Sequence, residues 1–214
     1  MGPTLMLPEE FKYLATIKTI VLFIFLSMYF IKLRWLLSLR LGKDISTPKG
    51  DRNLGIRRSF MANFTPWGME SSKSKPIGWF EFAFLHLGVG SAITASFLIP
   101  YFPALMVAPL TQIFTIFAAL GCLAALSRFV KRVVKPEIRV ISSWDDYFSS
   151  LMVTVWLAVA TVALSGNITA LVAFMFITTG LLIYVPTSKI SHYLYWPFTR
   201  YYFGAHFGRR GVIG

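Results

Sequence analysis

The sequence predicts an all-α integral membrane bundle of five transmembrane helices, with the N-terminus outside and the C-terminus cytoplasmic. Three observations lead there. The chain is 56% hydrophobic and only 14% charged, with a mean hydropathy of +0.63, which is too apolar for a soluble globule. Five apolar runs are long enough to cross a bilayer. The connections between them alternate between strongly basic and uncharged. At 214 residues the chain reads as a single membrane domain, 1–214.

The first span is expected at about 13–37. Its apolar centre, 19–31, is short, so Lys18, Lys32 and Arg34 are expected to snorkel towards its ends. The second span is expected at 79–100, the third at 104–126, the fourth at 147–164 and the fifth at 168–195. The acidic pair Glu9-Glu10 before the first run, and the lack of a small-residue cleavage pattern after it, point to a retained helix rather than a signal peptide.

The connections set the orientation. Segment 32–78 carries ten Lys or Arg, including Arg40 and Lys43, against Asp44, Asp51 and Glu70; 128–146 carries five, and the tail four. Turns 101–103 and 165–167 carry none. Nineteen of the twenty-one basic residues thus fall on one side, which the positive-inside rule makes cytoplasmic. The longest stretch between spans, the cytoplasmic loop 38–78, holds Pro48, Gly50, Gly55, Pro66, Gly68 and Pro76, which argue against one continuous helix. Its charge suits either anionic lipid or a soluble subunit.

The net charge of +12 marks cytoplasmic loops in this class of protein and does not imply nucleic acid. The single cysteine, Cys122, excludes an internal disulfide, an all-cysteine iron–sulfur cluster and covalent haem attachment through paired cysteines.

Chemistry concentrates in the histidines. His86 lies about eight residues into the second span, so about 10–12 Å from its inner end. His192 lies near the inner end of the fifth. Two imidazoles at similar depth on antiparallel helices are what a bis-histidine haem b requires. Interhelical hydrogen bonding is the alternative for each. Lys189 precedes His192 by three residues, so it is expected on the same helix face, where it suits a haem propionate or simple snorkelling. Arg200 is a second propionate candidate. His206, in a basic tail after Pro197, reads as a surface residue. Pro186 is expected to kink the fifth helix or end its regular hydrogen bonding. No Asp or Glu stands mid-span, which disfavours a transporter.

Several stretches carry a resemblance. Pro186-Thr187-Ser188-Lys189-Ile190-Ser191-His192 resembles the Pro-Phe-Ser-Arg/Lys-x-x-His motif in the last helix of the respiratory nitrate reductase gamma subunit family. Phe84-Leu85-His86-Leu87-Gly88 is similar to that family's Phe-His start to its second helix. Pro136-Glu137-Ile138-Arg139 followed by Asp145-Asp146 resembles its loop before the fourth helix. The family includes membrane cytochromes of sulfate-reducer electron-transfer complexes, and the stretch from Trp67-Gly68 to Pro76 is similar to that branch.

The resemblance implies a cytochrome b subunit of a respiratory chain complex in a prokaryotic cytoplasmic membrane, not catalytic alone. Its electrons pass between membrane quinone and an iron–sulfur subunit on the cytoplasmic face, with or without further membrane subunits. His86 and His192 match the pair that holds the haem iron near that face. The family's second pair would require histidines near Ser96 and Phe174, where this sequence has none, so one haem b is expected. The quinone is then expected beside that haem, in an apolar pocket of the second and fifth helices. A haem-free membrane anchor for a redox complex is the competing reading.

Overall fold

The structure, a computed structural model, describes residues 5–39, 42, 44–68 and 73–213. Arg40, Lys43, Glu70 and part of the 67–76 motif lie outside these. No strand occurs among the described residues, and five helices are long and apolar enough to cross a membrane: Glu9–Ser38, Pro76–Tyr101, Leu110–Val134, Trp144–Leu164 and Ile168–Thr187. The chain is a multi-pass, all-α membrane protein. Its α-helices are α1 (Tyr13–Ser38), α2 (Arg52–Met61), α3 (Pro76–Tyr101), α4 (Leu110–Val134), α5 (Pro136–Val140), α6 (Trp144–Leu164), α7 (Ile168–Tyr184) and α8 (His192–Arg209). They fall into two compact units, residues 1–28 with 81–189, and 29–80 with 190–214.

In the first unit α6 packs against both α4 and α7. Leu157, Ala160, Ala163, Leu171, Phe174 and Met175 are fully buried there. Lipid supplies no hydrophobic drive between helices, so close packing of small residues takes its place. Gly88 of α3 and Gly121 of α4 meet backbone to backbone: a Cβ on Gly88 would lie 2.7 Å from the Gly121 Cα. A capping box between Ser143 and Asp146 starts α6, and Asn167 caps α7 through the Ala170 N–H at 2.9 Å.

Three span boundaries differ from expectation, each for a local reason. The third helix begins after Pro109, not at 104, because Pro103–Leu105 forms a separate 3-10 turn. It also continues past the first charges to Val134. Glu81 of α3 accepts from the Lys131 ammonium and from the Ser127 hydroxyl, so those polar groups are matched inside the helix. The fifth α-helix stops at Tyr184 rather than near 195. Pro186 has no N–H to continue it, and the chain proceeds through 3-10 turns Val185–Thr187 and Lys189–Ser191 before α8 begins at His192.

Lys18 does not snorkel. It is fully buried, donates to the Ser96 carbonyl and sits 3.9 Å above the centre of the Phe97 ring. The cause lies four residues further on. In a regular helix the Ser96 carbonyl would receive the N–H of residue 100, but that residue is Pro100 and has none. The lysine satisfies a carbonyl that proline has freed.

In the second unit, glycines let α2 and α8 cross at backbone contact. A Cβ on Gly208 would lie 2.7 Å from both the Asp51 carbonyl oxygen and the Gly55 Cα. Asp51 caps α2 by accepting from the N–H groups of Asn53 at 2.7 Å and Leu54 at 3.2 Å. The Arg209 carbonyl accepts from the N–H groups of Lys49 and Gly50 at 2.8 and 3.0 Å. Tyr29 stacks on Tyr193 with ring centres 5.3 Å apart.

Candidate functional site

His86 lies on α3, two residues before the glycine contact with α4. Residues two apart are about 200° apart around a helix. Because Gly88 faces α4, His86 is turned to an exposed face of its unit. Its Nδ1 lies 2.7 Å from the Phe82 carbonyl oxygen one turn back. A carbonyl can only accept, so this bond places the ring proton on Nδ1 and the lone pair on Nε2. Nε2 is the nitrogen that a helix-borne histidine offers to a metal when Nδ1 is held in this way. The Phe82 ring lies against the imidazole, centres 4.1 Å apart.

His192 is the first residue of α8, exposed, and belongs to the other unit. The expected common helix face of Lys189 and His192 does not exist. Lys189 opens a 3-10 turn and His192 opens the following α-helix, because Pro186 has already ended α7.

Lys189 is instead built into the base of α6. Its ammonium lies 2.5 Å from the Asp146 carboxylate and donates to the Ser143 hydroxyl at 2.8 Å. Its backbone N–H donates to Asp145 at 2.8 Å, and the same carboxylate accepts from the Tyr184 hydroxyl. Two sequence motifs far apart in the chain, Asp145-Asp146 and Pro186 to Lys189, therefore meet here. Arg200 is half-buried on α8. With the Asn63 amide turned so that its oxygen faces donors, that oxygen accepts from Arg200 Nε at 3.3 Å and Trp196 Nε1 at 2.8 Å.

Ser96 and Phe174, the positions at which the resemblance would require further histidines, are both fully buried in side-chain packing. Ser96 holds Lys18. Phe174 stacks on Trp156 with ring centres 5.9 Å apart, and the Trp156 N–H donates to Thr178 at 2.8 Å. No protein-family model, curated protein or solved structure matches this chain.

His206 is not a simple surface residue. Its side chain is 21% exposed and its Nδ1 lies 3.3 Å from Asp44, itself 6% exposed. Arg210 donates to both oxygens of that carboxylate, at 3.1 and 3.2 Å. The Arg210 guanidinium, aided by Ser46, holds the Asp44 carboxyl well below the usual carboxylate range. Asp44, Tyr202, Phe203, His206 and Arg210 line a cavity of about 380 Å³. Sequence reading missed this cluster, since Asp44 and His206 stand 162 positions apart with no spacing signal to join them. Among the described residues, no group of three or more His, Cys, Asp or Glu is placed to hold a metal ion by side chains alone.

Proposed function

We propose that the chain is a haem b-containing membrane subunit of a respiratory electron-transfer complex, resembling the nitrate reductase gamma family. It passes electrons between membrane quinone and an iron–sulfur subunit on the cytoplasmic side of a prokaryotic cytoplasmic membrane. His86 and His192 are the residues that would hold the haem iron. The observation that carries this reading is the His86 ring, held at Nδ1 by the Phe82 carbonyl so that Nε2 bears the lone pair. Haem iron, when bound, supplies one-electron exchange between its ferric and ferrous states. The chain's own part is to fix the imidazole tautomer and, through Phe82, to cover one side of the ring. The burial of Ser96 under Lys18 and of Phe174 against Trp156 supports a count of one haem, because those positions carry no ligand and are filled.

The haem-free anchor is favoured by a different observation. Lys189, proposed for a propionate, already faces Asp146, and Arg200 faces Asn63. A reduced-minus-oxidised visible spectrum of the purified chain separates the two. The cytochrome reading expects one b haem per chain, lost in His86→Ala and in His192→Ala. No haem in the native protein supports the anchor, and unchanged haem content in both variants overturns His86 and His192 as the ligands.

A further inference from the structure

The second unit carries a surface that its own packing leaves open. On α2, Gly55 and Ser59 are buried. About 200° round the helix stand Arg57 and Met61, at i and i+4, with Arg58 beside them, and Phe64 follows in the 3-10 turn Ala62–Phe64. Both arginines are exposed, and Met61, Phe64 and Trp67 are 58%, 64% and 68% exposed. Three large apolar side chains in the open beside arginines mark a surface that meets something other than water.

The tether of this surface gives its depth. Trp79, in the first turn of the spanning helix α3, donates its indole N–H to the Asn63 carbonyl at 3.1 Å. Asn63 is thus one side chain away from the start of a membrane helix. That is the headgroup layer, where tryptophans gather. The charge of the segment selects the occupant. Residues 52–68 contain Arg52, Arg57 and Arg58 and no Asp or Glu. Helices that lie in the interface of an anionic bilayer combine arginines for phosphate with aromatic or aliphatic anchors for the acyl boundary.

We infer that Arg57, Arg58, Met61, Phe64 and Trp67 form a docking face for anionic phospholipid. The arginines meet headgroup phosphates, and Met61, Phe64 and Trp67 enter the acyl boundary below them. The inference needs only that α3 spans a membrane and is independent of the haem reading.

The test uses the full chain with Cys122→Ser, which removes its one cysteine. A nitroxide is attached at Met61→Cys. The protein is reconstituted in phosphatidylcholine bilayers with and without phosphatidylglycerol, and collisions with oxygen and with a water-soluble nickel chelate are compared. The expected result is oxygen collisions dominating in the anionic bilayer. The oxygen-to-nickel ratio should fall about fivefold for each arginine removed in Arg57→Gln and Arg58→Gln, the change expected from one headgroup contact each. Two results overturn the proposal. One is nickel collisions dominating in every bilayer. The other is protection from both reagents that is insensitive to phosphatidylglycerol, which would make this a protein-facing surface.

Discussion

Lys18→Met tests whether the buried lysine is held by a carbonyl that proline has freed. Methionine keeps the length of the side chain and fits an apolar site, but it removes the ammonium. Ser96 then keeps its carbonyl beside Pro100, with no N–H four residues on, and Phe97 loses the cation 3.9 Å above its ring. A hydrogen bond from a charged donor contributes about 1.5–3 kcal/mol. Interhelical bonds within a bilayer run lower, about 0.6–1.7 kcal/mol. The methionine also avoids the desolvation of a charge, which offsets part of the loss. The expected destabilisation is therefore about 1–2 kcal/mol. Pro100→Ala is the discriminating partner, because it returns an N–H to position 100. In the Lys18→Met background it should restore about 1 kcal/mol. In the native background, where the carbonyl is already occupied, it should gain less. The assay is reversible unfolding in mixed micelles on titration with sodium dodecyl sulfate, run as a double-mutant cycle. If the two changes add within about 0.5 kcal/mol, the carbonyl is not shared and the reasoning fails.

The remaining predictions concern other contacts. Gly88→Val drives branched carbon into the Gly121 backbone and should cost about 3 kcal/mol or the fold itself, whereas Gly90→Ala, with nothing within 4 Å, should be neutral or mildly stabilising; yield and unfolding midpoint compare them. Asp145→Asn weakens the acceptor for Tyr184 and for the Lys189 N–H, and should lower stability by about 1–2 kcal/mol, read in the same titration. Asp44→Asn should release segment 44–50 from α8, seen as faster tryptic cleavage at Lys49. The Asp44 carboxyl is depressed in the folded protein, so its contact with Arg210 is present above the ordinary carboxylate value of about 3.9 and is lost only as pH falls through the lower folded value. With the neighbouring imidazole removed in His206→Asn, cleavage at Lys49, corrected for the enzyme's own pH dependence, should therefore stay flat between about pH 8 and pH 6.

Five membrane helices could be read from composition and run length, because the bilayer admits few other ways to satisfy backbone amides. Helix ends were harder. Arg128 looked like the end of a span only because Glu81, the carboxylate that pairs with Lys131 one turn further on, lies on another helix. Pro186 is legible as a break, yet three-residue spacing puts Lys189 and His192 on one face only if the α-helix resumes at once. The intervening 3-10 turn depends on where Asp145 holds the chain, and spacing cannot report that. Lys18 misled for the same reason. Snorkelling is the rule for a lone lysine near a span end, and the exception required seeing Pro100 and Ser96 as a vacancy on a neighbouring helix. His86 is singled out by its depth and by the Phe84-Leu85-His86 resemblance. Its tautomer follows from the helix, since the carbonyl one turn back was always within reach.

The glycine crossing of α2 and α8 decides how this part of the molecule can be handled. Gly55, Gly204 and Gly208 bring two backbones together, so the join consumes little side-chain bulk. Tyr201, Phe203, Phe64 and Trp67 are left on the outside, each more than 40% exposed. Such a pair presents large apolar side chains that its own join does not cover. Expressed without the spans, it would self-associate or cling to detergent, and its solubility in isolation would measure the missing bilayer rather than the fold.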